Sequence, residues 1–258
     1  MRGLRSASRL ARVAVLVALL AGCAEAPVID PPARAPAPAP APPPARVGDR
    51  GAEPPAGSYA VLATRDVGVW SMVGGGELVA VFPARQPWGD AVAFLLLRRG
   101  ADRDGRSWYQ VLLPRRPNGS SGWVRADHVR LVPVAYRVEV DLSRRELRLL
   151  HNGRLAGRFT VVVGAPGTPT PTGSFFLTAK LQPPRISPVF GSWALALSAW
   201  SSVLDQFGTG DGQIALHGTR DPAGLGRALS HGCVRLHDRS VTMLAGLLPL
   251  GTPVTIRP

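Results

Sequence analysis

The chain has 258 residues, of which 45% are hydrophobic and 18% charged, which excludes a globally disordered polymer and leaves room for more than one packed domain. The net charge of +13 is carried mainly by arginine and favours anionic partners such as anionic lipid or an acidic polymer. The arginines are dispersed and no nucleic-acid-binding motif accompanies them, so nucleic acid is not an expected partner. The two cysteines are too few for a disulfide framework, and each needs its own account.

Residues 1–23 read as a secretory signal. Arg2, Arg5, Arg9 and Arg12 precede a short apolar run, Val13 to Ala21. That run is about half the ~20 residues a spanning helix needs. It ends in Leu20-Ala21-Gly22-Cys23, which resembles the bacterial lipobox. Lipidation of Cys23 is the expectation, with the protein extracytoplasmic, anchored to a membrane and facing the cell wall. Residues 24–57 are mostly Pro and Ala. Fixed φ angles and scarce apolar side chains predict an extended, disordered tether.

Short β-like runs follow, at Tyr59–Leu62, Gly76–Phe82, Val92–Leu97, Trp108–Leu113 and Gly122–Val124, separated by Gly, Pro, Asp and Asn. The spacing predicts a small barrel over residues 58–133. Trp108-Tyr109-Gln110-Val111, Gly122-Trp123-Val124 and Val129 resemble bacterial SH3-like domains, which implies a binding or spacing module. Trp108 and Trp123 are read as barrel core, against a sugar- or peptide-contact role.

Residues 134–258 read as a second, mostly β domain. Tyr136–Asp141 alternates as a half-buried strand, and Glu146–Leu150 is another. Asn152-Gly153 supplies a tight turn, and Phe159–Val163 completes the hairpin. A rigid Thr168–Gly173 loop leads into a strand at Ser174–Ala179. A further strand, Gln213–Leu216, ends at His217. Ser240–Leu248 has helical spacing, and Val254–Ile256 closes the domain.

The chemistry-bearing residues lie in two places, His217-Gly218 and Ser230-His231-Gly232-Cys233-Val234-Arg235-Leu236. A thiol is a strong nucleophile as thiolate, and neighbouring imidazoles or cations lower its pKa. Gly232 leaves room for a substrate backbone, and its amide, with that of Cys233, points to oxyanion binding. A metal site would draw on His217, His231, His237 and Cys233, but no CxxC or HExxH pair is present, so no metal and no cofactor are expected. A Cys23–Cys233 disulfide is disfavoured if Cys23 is acylated. Spacing leaves the base open, since His231 and Cys233 lie on one side of an extended chain. His237 and His151 are expected to be solvated.

Ser230 to Arg235, with His217-Gly218, Thr170-Pro171-Thr172-Gly173-Ser174-Phe175 and Gly251-Thr252-Pro253-Val254, resembles the L,D-transpeptidase (YkuD) family over residues 136–257. The resemblance implies a mainly β fold: a YkuD-type β-sandwich catalytic domain with a short helix, here preceded by the SH3-like barrel. It implies a cysteine acyltransferase in which Cys233 forms a thioester with a peptidoglycan stem tetrapeptide and passes it to an amine acceptor in cell-wall cross-linking. It assigns His217 as base, the Gly218 carbonyl as its orienter, and the amides of His231, Gly232 and Cys233 as the oxyanion hole. Ser230 then supports the loop, and Arg235 is either a substrate-carboxylate clamp or a salt-bridge partner. Peptidoglycan stem peptides are the implied partners and carbapenem β-lactams the implied inhibitors. An L,D-carboxypeptidase, a protein-to-peptidoglycan linking enzyme and a non-catalytic wall-binding lipoprotein are the alternatives.

Overall fold

A computed structural model describes residues 57–183, 187–206, 210–219 and 221–258. The signal segment, Cys23 and the Pro/Ala-rich stretch through residue 56 lie outside the described residues.

Seven strands form the N-terminal β region: β1 (Ser58–Ala63), β2 (Val67–Met72), β3 (Gly75–Phe82), β4 (Ala93–Ala101), β5 (Ser107–Leu112), β6 (Ser121–Arg125) and β7 (Val129–Val134). They make one sheet in the order β3-β2-β6-β5-β4-β1-β7. Alternate residues, including Val61, Val67, Val69, Val111 and Val124, point into one core. The sheet is curled. β3 and β4 stand four places apart in it, about 19 Å if it were flat, yet the rings of Phe82 and Phe94 meet edge to face at 5.2 Å. Trp108 is buried, as expected, and its indole donates to Asp102 Oδ2 at 3.0 Å. Trp123 departs from the expectation. It sits between the buried Gly122 and Val124, so alternation turns it to the outer face, where it pairs with Trp70 across β2 and β6.

The remaining strands are β8 (Tyr136–Asp141), β9 (Glu146–His151), β10 (Arg154–Thr160), β11 (Val163–Gly164), β12 (Gly173–Leu181), β13 (Ala194–Trp200), β14 (Gln213–Thr219), β15 (Ala228–Ser230), β16 (Val234–His237) and, after helix α1 (Asp238–Leu247), β17 (Pro253–Arg257). Eight of them form a sheet in the order β10-β9-β8-β17-β12-β13-β14-β16, and β11 pairs with β15. The β8–β17, β14–β16 and β11–β15 pairs are parallel. The hairpin after β9 turns at Asn152 (φ 50°) and Gly153 (φ 76°). That turn returns the chain at once, so β10 starts earlier than the expected Phe159.

α1 buries Val241, Leu244 and Ala245 against the sheet. From the sheet, Leu216, Val234 and Leu236 are fully buried in the same cluster. Each such side chain contributes about 1.5–3 kcal/mol by leaving water. That packing fixes one face of β14 and β16, so the opposite face is presented rigidly. The two β regions meet where Leu95 and Leu112 pack on Phe176 and where Gln86 Nε2 donates to the Thr178 carbonyl at 2.7 Å.

Candidate active site

β14 and β16 run parallel with His217 opposite Arg235 and Leu216 opposite Val234. Register partners share a face, and residues two apart along an extended chain share one as well. With Leu216 and Val234 committed to the core, His217, Arg235 and Cys233 emerge on the other side. They line one cavity of about 110 Å³ together with Phe190, Ile214 and His231. Two segments far apart in sequence, His217-Gly218 and Ser230–Arg235, thus become one site because β16 adds in parallel beside β14.

The loop bearing Cys233 is held by a hydroxyl network. Ser230 Oγ accepts from the Gly232 amide at 3.1 Å and donates to the Cys233 carbonyl at 2.6 Å. Thr170 Oγ1 accepts from the Gly164 amide at 2.9 Å and donates to the Gly232 carbonyl at 2.8 Å. Thr168 Oγ1 donates to the Ser230 carbonyl at 3.0 Å. Gly232 adopts φ +116°, a backbone conformation that favours glycine, and a Cβ there would also press on Ile214 Cδ1 at 2.9 Å. In this structure the Gly232 amide, one of the three expected oxyanion donors, is engaged by the Ser230 hydroxyl.

His217 is 4% exposed, and its Nδ1 lies 2.7 Å from the Gly218 carbonyl. A carbonyl only accepts, so Nδ1 carries the proton and the neutral ring keeps its lone pair on Nε2. Phe190 meets the ring edge-on at 4.9 Å. Burial lowers the imidazole from 6.5 to about 4, opposed by backbone hydrogen bonds to Gly218 and Phe190 and reinforced by the Arg235 charge. Cys233 is half-buried, and burial pushes its thiol up, against a backbone hydrogen bond from Ala215 and the Arg235 charge. At neutral pH a thiol and a neutral imidazole thus line one cavity, and the imidazole is chemically able to take the thiol proton as the sulfur attacks.

Asp238 supports the His217 side of the site. Its carboxylate accepts from the Ser192 amide at 2.8 Å and from the Ser192 hydroxyl. Gly218 packs so close to Asp238 Oδ1 that a Cβ would collide with it. The turn before β13 is thereby fastened to the start of α1, and Gly218 packs against the same carboxylate. Asp238, Ser192 and Phe190 were not singled out by sequence, and neither was Thr170 as an individual role. Their parts arise from contacts with no local signature.

Of the alternatives for Arg235, no ion pair forms at its guanidinium among the described residues, and its buried Nε has no hydrogen-bond partner. His231 is exposed at the cavity, and His151 is exposed and stacked on Tyr136 at 4.6 Å. His237 corrects the expectation of solvation: it is half-buried with Nδ1 out of contact with water, because β16 carries it beside Thr219 of β14.

Residues 135–256 match the family model of the L,D-transpeptidase catalytic domain, YkuD. The Bacillus licheniformis protein YkuD, named as an L,D-transpeptidase, is 35% identical over 162 residues, covering 60% of this chain and 90% of its own. YkuD of Bacillus subtilis is 34% identical over 123 residues, covering 48% of this chain and 66% of its own. Among solved structures, L,D-transpeptidase 3 of Mycobacterium tuberculosis with a faropenem-derived adduct is 14% identical, with a TM-score of 0.42 over 59% of this chain and 91% of that one. With 35% identity over an alignment that spans nine-tenths of one relative, and the histidine and cysteine segments joined in one cavity, this chain belongs to the L,D-transpeptidase (YkuD) family.

Proposed function

We propose that the protein is a peptidoglycan L,D-transpeptidase working through a Cys233 thioester. The observation that carries this reading is that Cys233, His217 and Arg235 line one small cavity on a rigid sheet face. His217 Nε2 takes the thiol proton as Cys233 Sγ attacks the carbonyl between an L-residue and the terminal D-residue of a stem tetrapeptide. The C–N bond then breaks. The imidazolium returns the proton to the departing D-amino acid, and the acyl group stays on sulfur. An amine of a second stem attacks the thioester and gives its proton to His217, the C–S bond breaks, and the imidazolium passes that proton to the departing thiolate, restoring the thiol and the neutral base. The Gly218 carbonyl holds the imidazole in the tautomer these steps need, and stabilises the imidazolium while it lasts. The amides of His231, Gly232 and Cys233 are the assigned donors to the oxyanion, and Ser230 shapes the loop that presents them. The unpaired Arg235 guanidinium supports the clamp assignment, binding a carboxylate of the donor stem.

The remaining assignments rest on sequence. Cys23 is lipidated, residues 24–57 tether the enzyme to a membrane, and the N-terminal β region is SH3-like. Carbapenems acylate Cys233, because the strained ring carbonyl mimics the donor. Incubation with disaccharide-tetrapeptide tests the reaction. Cross-linked dimer is the expected product, trimmed tripeptide alone would make the enzyme a carboxypeptidase, and unchanged substrate would overturn the reading.

A further inference from the structure

The cavity around Cys233 is not walled by catalytic strands alone. One side is formed by Ser201 and Leu204 after β13 and by Gly212 and Gln213 at the start of β14. These two stretches belong to the connection between strands, and the Ser201 amide donates to the Gly212 carbonyl at 2.9 Å. Their own region adds bonds from the Trp200 indole to Asp211 Oδ2 at 3.0 Å and from Gln213 Nε2 to the Leu197 carbonyl at 2.8 Å, and further fastening comes from the other β region, from the connection between β5 and β6. Arg116 Nη1 donates to the Ser201 carbonyl at 2.9 Å. Its Nη2 donates to the Leu204 carbonyl at 3.1 Å and to the Asp211 carbonyl at 2.9 Å. One planar guanidinium thus gathers carbonyls from both stretches, which a point-charge ammonium cannot match in geometry. Beside it, Asn118 forms a reciprocal pair with the backbone of Trp200: Nδ2 donates to its carbonyl at 2.8 Å and Oδ1 accepts from its amide at 2.9 Å. The contact is tight, since a Cβ at Gly212 would come within 3.0 Å of Arg116 Nη2. Backbone carbonyls, not carboxylates, are the main partners. The nearest acid, Asp205, is 3.8 Å away and its side chain is fully exposed.

We propose that Arg116, assisted by Asn118, is a positioning residue for the acyl-donor cavity: the N-terminal β region sets the spacing of the cavity wall opposite Cys233, and so sets how well a donor is held for attack. This rests on the acyl-transfer reading above. It gives the N-terminal region a part in the reaction instead of a spacer's role alone. The residues act through Ser201, Leu204 and Gly212, and touch neither thiol nor imidazole.

The test uses the full chain and imipenem as the acylating probe, with the adduct followed by intact-mass spectrometry to give the maximal acylation rate and the half-saturating concentration separately. Arg116→Met keeps the apolar stem and removes the donors. The expected result is a fall in acylation efficiency of about 10- to 100-fold, the scale of a sub-ångström to ångström misplacement, carried mainly by weaker half-saturation. Arg116→Lys should recover part of the loss. Asn118→Ala, which leaves the charge in place, should fall in the same direction and serves if Arg116→Met does not fold. Gln86→Ala removes an inter-region bond that does not line the cavity, and should stay within twofold of wild type. Acylation of both Arg116→Met and Asn118→Ala at wild-type efficiency would overturn the proposal, as would an equal loss in Gln86→Ala. Failure of the wild type itself to form an adduct would instead overturn the acyl-transfer reading.

Discussion

The buried imidazole of His217 should make stability depend on pH in a calculable way. Its pKa is about 4 in the folded protein, against 6.5 for an unburied histidine. Between those values the unfolded chain binds a proton that the folded chain refuses. Stability is therefore fully present above pH 6.5 and is lost as pH falls toward 4. At about 1.4 kcal/mol per pH unit, the loss from this one side chain between pH 7 and pH 4 is about 3 kcal/mol. The side chain is almost wholly shielded from solvent, so no large screening discount applies. Urea unfolding of wild type and His217→Gln at both pH values isolates the effect, because the other titrating groups are common to both proteins. The stability difference between them should shift by about 3 kcal/mol against the wild type on going to pH 4. A shift under about 1 kcal/mol would refute the claim that this ring is held neutral by burial.

Iodoacetamide should alkylate Cys233 ever faster as pH rises past that of an ordinary thiol, since burial raises its pKa; a rate plateau between pH 5 and 8 would instead reveal a standing thiolate–imidazolium pair. His217→Ala should slow acylation by about 10²–10⁴-fold, and His231→Ala should cost much less, because the backbone amide survives; equal losses in stopped-flow assays would move the base to His231. Gly232→Ala should slow acylation and lower the melting temperature, from the strain of a side chain at φ +116°; a fully active variant would show that the loop has slack. Asp238→Asn should shift the acid limb of the activity profile by loosening the Ser192 turn that packs beside Gly218 and His217; a pH profile superimposable on wild type would make Asp238 merely structural.

Much of this was legible in the sequence where the signal is local. Tyr136–Asp141 shows the alternation of a strand packed on one side, and Asn152-Gly153 names its own turn. His217 and Cys233 stand out because their neighbours are small or polar. What stayed hidden depends on long-range contact. β13 is buried at every position, so it shows no alternation and an apolar run of that length fits helix or strand. β2 does alternate, but Gly68 dilutes the pattern. β16 is only Val234–His237, too short to show a period, yet its parallel pairing with β14 builds the site. Thr170 meets the Gly232 carbonyl across 62 residues of chain, and Arg116 meets Ser201 across 85. No composition or spacing announces such bonds, because they form only after two separately folded segments dock.

The central claim is that Cys233 carries the acyl group, and intact-mass spectrometry of protein quenched in acid during turnover with disaccharide-tetrapeptide addresses it directly. The account expects a mass gain equal to the donor minus its terminal D-amino acid, mapped to the peptide containing Cys233, reversed by an amine acceptor and absent in Cys233→Ala. Cross-linked product formed by Cys233→Ala, or an adduct on any other residue, would contradict it.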